Sequence, residues 1–374
     1  MKLSHAKPHY EILDGLRGVA AIMVVFFHVF EIFSNGDHTK QIINHGYLAV
    51  DFFFMLSGFV ISYAYDNRWN EMSMKDFFIR RLVRLQPMII IGTFIGAGLF
   101  YFQHSPDLGW GRIGETPIWK LIVVMIIGMT VFPVGRSLDI RGWGEMHPLN
   151  GPSWSLFYEY IANIAYAVVL RKLSTTILIV LTLIAAGFTL YLAFTNPNGD
   201  IIGGWSIDDS VQLKIGFTRL AFPFLAGILI AKLSTLRHTR FAFITTSILL
   251  VLVLATPRIG GHENLWQNSL YECLVLMIVF PLIIWLGAGG NLVSQTSKKI
   301  CRFLGDISYP LYITHFPIVY VFYAWVINNK IAMEDSLLQA TVVIIASLVF
   351  AYLSMKLYDV PVRKWLSNKL ISKK

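Results

Sequence analysis

Apolar residues run along this chain in stretches of about 18 or more with few charges among them. Short polar segments carrying Gly, Pro, Asn and Asp break the runs. A stretch of that length can cross the hydrocarbon of a bilayer as a helix. Full spans are predicted near 12–34, 46–65, 84–102, 152–170, 174–194, 211–231, 241–256, 269–287, 304–327 and 337–358. The fold class is therefore all-α, a polytopic membrane bundle of about ten helices, read as one transmembrane domain over 1–374 with no long polar tail or soluble module. The first run follows Lys2 and Lys7, as in a signal peptide. It is too long, lacks an Ala-x-Ala cleavage site and carries Arg17 and His28, so it reads as a retained span.

One further apolar run, 118–134, is ambiguous, and charge decides how it is read. The net charge is +9. With the N-terminus inside, the inner segments hold 20 Lys and Arg residues and the outer segments hold 6. Basic residues collect on the cytoplasmic side of membrane proteins. The bias works only if 118–134 fails to cross, so this segment is predicted to be re-entrant or to lie along the outer face, with a break at Gly128 or Pro133. Both termini are then cytoplasmic. The excess charge belongs to membrane anchoring, and no nucleic-acid partner is expected. Cys273 and Cys301 lack metal or CxxC spacing, and no disulfide or metal site is expected. Walker, Rossmann and GxSxG patterns are absent.

Ionisable residues inside spans are the candidates for chemistry, because each is costly in hydrocarbon unless it has a partner or a task. Arg17 and His28 stand eleven residues apart, which on a helix is three turns plus roughly 20°, so they share a face about 16 Å apart along the axis. His28 suits a general base; Arg17 also fits a snorkelling anchor. Asp51 opens the second span from the outer side and is placed to orient His28 or to hold a hydroxyl. Ser57-Gly58 reads as a small polar site or as close helix packing. Arg80, Arg81 and Arg84 start the third span and suit phosphate binding, or anchoring alone. Ser155 and Glu159 are spaced i, i+4 on one helix face, and Tyr312 and His315 i, i+3. Arg219 is a further cation within a span. Trp110, Trp143 and Trp205 suit stacking on sugars, and better suit an interfacial aromatic belt.

Together these motifs resemble the membrane acyltransferase-3 family of bacterial inner-membrane glycan O-acyltransferases. Leu13–Gly18 (LDGLRG) with His28, Phe53–Phe59 (FFMLSGF), Arg80–Pro87 (RRLVRLQP), Trp154–Glu159 (WSLFYE) and Ser308–His315 (SYPLYITH) occur in the family's order across residues 10 to about 365. Where the family often has Glu-x-Pro near the end, this chain has Asp359-Val-Pro361. Some members carry a fused esterase-like domain, which is not expected here. The resemblance implies an O-acyltransferase, most simply an O-acetyltransferase. It implies acetyl-CoA as cytoplasmic donor and an extracytoplasmic polysaccharide or lipid-linked saccharide as acceptor. His28 would be the base, and Glu159, Asp51 and Ser57 would share the catalytic work. Arg17, Arg80, Arg81 and Arg84 would hold the CoA phosphates. Ser155, Arg219, Tyr312 and His315 are candidates for substrate or oxyanion contacts. The rival readings are a multi-span transporter and a non-catalytic partner of a polysaccharide synthase.

Overall fold

The computed structural model describes residues 9–34, 36–235 and 238–371. Lys2, Lys7, Arg237, Lys373 and Lys374, which contribute to the charge bias, lie outside the described residues. The architecture is all-helical. The helices are α1 (Glu11–Glu31), α2 (Ala49–Tyr65), α3 (Met74–Leu99), α4 (Ile118–Gly128), α5 (Ser153–Val168), α6 (Thr175–Thr195), α7 (Ser210–Leu233), α8 (Ala242–Ala255), α9 (Leu265–Gly289), α10 (Gln295–Asn328) and α11 (Met333–Leu370). Among the described residues eight helical segments are long and apolar enough to cross a membrane. This is a multi-pass membrane protein. Two predicted spans, 152–170 and 241–256, are shorter: α5 has 16 residues and α8 has 14, about 24 and 21 Å of helix against a hydrocarbon core of about 30 Å. Each still carries the chain from one end of the bundle to the other. Trp154 and Arg171 stand at opposite ends of the α5 crossing, where Arg171 stacks on Trp69. Thr239 and Thr256 bracket α8, bridging to Gly290 and accepting from His45.

Segment 118–134 forms only the 11-residue α4. That is about 16 Å of helix, too short to cross. The helix ends at Gly128, and Val131 takes a positive φ of 66°, a conformation a β-branched residue rarely adopts. The Gln86 side chain of α3 donates to the Met129 carbonyl, so the freed backbone has a partner. Leu108 before α4 and Trp143 after it line the same cavity. The chain therefore returns to the end it left, as charge parity predicts.

Small residues set the helix contacts that position the polar groups. A Cβ at Gly18 of α1 would come within 2.4 Å of the Leu304 carbonyl oxygen of α10. Between α2 and α7 the approach is reciprocal: a Cβ at Gly58 would meet the Phe224 carbonyl oxygen at 2.1 Å, and one at Gly227 the Met55 carbonyl oxygen at 1.9 Å. In lipid no hydrophobic force drives helices together, so close backbone packing carries more of the association. The packing reading of Gly58 is thus realised beside the polar site at Ser57.

Candidate functional site

Three cavities follow one another through the bundle. The first is a vestibule of about 870 Å³ at the end where α1 begins, with Arg17, Arg68, Arg84, Arg302, Arg363 and Lys364 among its walls. The second is a narrow throat of about 110 Å³ lined by Arg17, Ser57, Arg81, Arg84, Ser155, Glu159 and Tyr312. Arg17, Val60, Arg84 and Tyr309 belong to both. The third, about 660 Å³, lies at the far end and includes His28, Glu31, Glu145, Trp143, Trp154 and Trp205. Val50 and Tyr312 line both this cavity and the throat, so the two are neighbours.

The basic wall is built by the starts of α1 and α3. Ser73 caps α3, accepting from the Asp76 amide at 3.1 Å while the Asp76 carboxylate accepts from the Ser73 amide at 3.2 Å. From that cap, the i, i+3 spacing turns Arg81 and Arg84 onto one face. Arg80 falls off that face and lines none of the three cavities. Arg81 is buried, with Nη2 donating to Glu159 Oε1 at 2.7 Å. Ser57 Oγ donates to the same oxygen at 3.4 Å. Arg17 Nη2 donates to Asp14 at 2.7 Å. Ser155 Oγ and Tyr312 Oη lie 2.7 Å apart, both within hydrogen-bond reach of the Pro152 carbonyl, so one hydroxyl donates to that carbonyl and the other to its neighbour.

Of the predicted site residues, Arg17, Ser57, Arg81, Arg84, Ser155, Glu159 and Tyr312 thus meet around the throat. His28 stands apart from them, on the far cavity. Its Nδ1 lies 2.9 Å from Glu31 Oε2. A carboxylate only accepts, so this bond puts a proton on Nδ1, and in the neutral ring Nε2 keeps its lone pair. Tyr323 Oη donates to the same Glu31 oxygen at 3.0 Å and also to the His28 carbonyl. Glu31 is the partner that the sequence expectation sought in Glu159 or Asp51.

Asp51 is fully buried and occupied elsewhere. Arg219 Nη2 donates to its Oδ2 at 2.7 Å and Nε to its Oδ1 at 3.2 Å. The rest of the guanidinium donates to the carbonyls of Gly203 and Tyr47. The pair fastens α2 to α7 and commits four of the five N–H donors of Arg219, leaving one on Nη1; Arg219 also lines the far cavity. His315 Nδ1 donates to the Leu311 carbonyl at 2.9 Å, and its ring stacks on His28 with centroids 5.5 Å apart.

Trp110 is fully buried, not at an interface. Arg141 lies over its ring at 4.6 Å and over Tyr320 at 3.7 Å. Glu145, in the loop between α4 and α5, accepts from Tyr320 Oη at 2.8 Å and faces the far cavity. Burial pushes its carboxyl from the ordinary 4.5 up to about 7, against the pull of Arg141 and Tyr320.

Three comparisons bear on this arrangement. The acyltransferase-3 family model, described as an acyltransferase domain, matches residues 10–356. Protein 2 in picA locus of Rhizobium radiobacter is 31% identical over 177 residues, 44% of this chain and 85% of that protein. Peptidoglycan O-acetyltransferase OatA of Listeria monocytogenes is 22% identical over 386 residues, 96% of this chain but 57% of that protein. The chain therefore spans little more than half the length of that relative. No solved structure matches.

Proposed function

The chain belongs to the acyltransferase-3 family, and from that premise we propose that it is an O-acyltransferase, acting as an O-acetyltransferase. It would carry an acetyl group from acetyl-CoA to a hydroxyl of a cell-envelope polysaccharide or lipid-linked saccharide. The relative named as a peptidoglycan O-acetyltransferase supports this acceptor class. The observation that carries the reading is the file of cavities from a cationic vestibule, through a throat, to a histidine–carboxylate pair among aromatic side chains.

In this reading the vestibule faces the cytoplasm of a bacterial inner membrane, in line with the bias of basic residues. Arg17 and Arg84 hold the CoA phosphates at the vestibule–throat junction, with Arg81 held by Glu159 deeper in. The pantetheine arm passes Ser57 and Tyr312 towards His28. The acceptor enters the far cavity, where Trp143 and Trp205 offer faces to sugar rings. His28 Nε2 takes the hydroxyl proton as the oxygen attacks the thioester carbonyl, and Glu31 stabilises the imidazolium. The carbon–sulfur bond then breaks, the ester stays on the acceptor, and His28 returns the proton to the CoA sulfur. Tyr312 and Ser155 share a hydrogen-bonded pair at the throat, and a hydroxyl proton turned away from the Pro152 carbonyl would meet the developing oxyanion. Membranes holding the protein should move label from acetyl-CoA into alkali-labile ester on envelope glycan. Folded protein that moves none with any short acyl-CoA would overturn the proposal.

A further inference from the structure

The vestibule wall carries seven Lys and Arg residues and four acids, Glu11, Asp14, Asp306 and Asp359, and of the acids Asp359 stands apart. Asp359 is 1% exposed. Its Oδ2 accepts from Arg363 Nη1 at 3.0 Å, and its Oδ1 has no hydrogen-bond partner among the described residues. A buried carboxylate oxygen without a donor is costly, and such groups call for an explanation. Of the other acids there, Asp14 is half-buried and engaged by Arg17 and His9, Glu11 is half-buried, and Asp306 is exposed.

The local backbone is what turns Asp359 inward. Residues Met355–Asp359 form a π-helical turn inside α11. Pro361 follows, and its missing N–H and its ring would disturb a regular helix at Leu357. The extra residue in the turn absorbs that disturbance. It leaves Met355 and Asp359 buried while Lys356 and Leu357 are exposed. Single π turns of this kind concentrate at functional sites.

A ligand for this wall must carry anionic groups for the arginines and lysines. It must also carry a neutral N–H or O–H for Oδ1, since a carboxylate repels phosphate. Both belong to a nucleotide: phosphates on one edge, ribose hydroxyls and a base amino group on the other. A cavity of about 870 Å³ is of ligand-pocket size. We infer that Asp359 receives a hydrogen bond from the nucleoside half of the donor, so that this vestibule selects a nucleotide-bearing thioester over one carried on phosphopantetheine alone. The inference rests on the donor assigned under the proposed function.

The test is binding of CoA and of 4′-phosphopantetheine to the purified full chain and to its Asp359→Asn and Asp359→Ala forms. Asn keeps the shape and one acceptor oxygen, so it guards against a folding defect. Both substitutions should weaken CoA binding about tenfold, leave phosphopantetheine binding within about twofold, and raise the KM for acetyl-CoA with kcat unchanged. Equal weakening of both ligands would reduce Asp359 to a brace for Arg363 and overturn the inference. So would unchanged CoA affinity in the variants. A wild-type protein that binds no CoA would instead bring down the donor assignment itself.

Discussion

At the scale of single residues, the functional claim rests on His28 and Glu31, one turn apart on α1 with Nδ1 and Oε2 at 2.9 Å. Replacing His28 by Ala should lower turnover by about 10²–10⁴-fold while donor binding holds, the range that a positioned base supplies. Glu31→Gln keeps the size of the side chain but not its charge. It should lower kcat about tenfold or more and leave CoA affinity unchanged, since Glu31 faces the far cavity. Steady-state kinetics beside CoA binding separate the two effects, and a Glu31→Gln form with full turnover would end its role. His28 was legible in the sequence because an imidazole in an apolar run needs a reason. Glu31 was not, because an acid at the end of a span looks like any interfacial charge. Nor could spacing show that Asp51 belongs to Arg219, 168 residues away. Glu145 gives a separate pH test outside the spans. Its carboxyl titrates near 7 when folded and near 4.5 when free. Between those values the folded protein holds a proton that the unfolded chain has released. Stability therefore falls as pH rises across this window, and the cost persists above it, on the order of 3 kcal/mol. Glu145→Gln should flatten thermal stability between pH 5 and 7 and gain on the wild type at pH 8. A pH profile parallel to the wild type would contradict this.

At the scale of elements, glycines decide how closely helices meet, and α4 decides the topology. Gly58→Val would push α2 from α7 and strain the Asp51–Arg219 pair that joins them. Overpacking of this kind costs about 1–3 kcal/mol, so the melting temperature in detergent should fall and the folded yield with it. An unchanged melting temperature would show that the contact yields without cost. For α4, a reporter fused at Gly135 should read out on the extracytoplasmic side, and a cytoplasmic signal there would contradict the re-entrant path. The long spans were legible because hydropathy over 18 residues is a strong signal. The shortness of α5 and α8 was not, because backbone geometry, not hydropathy, bounds those helices: Pro152 precedes α5, and Phe241 takes a positive φ of 57° before α8. Arg80 shows the same limit. Its i, i+4 relation to Arg84 held on the helix, but only the packing of α3 shows that Arg81 and Arg84 face the throat.

At the scale of the molecule, the bundle places cations at one end and a base among aromatics at the other, with a throat between them. The fold class and the charge bias were readable from composition and order along the chain. The continuity of the path was not, because it depends on side chains from α1, α2, α3, α5 and α10 converging. Under the proposed function, that succession of cavities is the route for an acyl group from one side of the membrane to the other. The direct measurement is made in proteoliposomes of known orientation, with radiolabelled acetyl-CoA supplied only at the vestibule face and glycan acceptor only at the opposite face. Acetylated glycan with wild-type protein and none with His28→Ala is the predicted result. Equal label with both proteins, or label that requires donor and acceptor on the same face, would contradict the account.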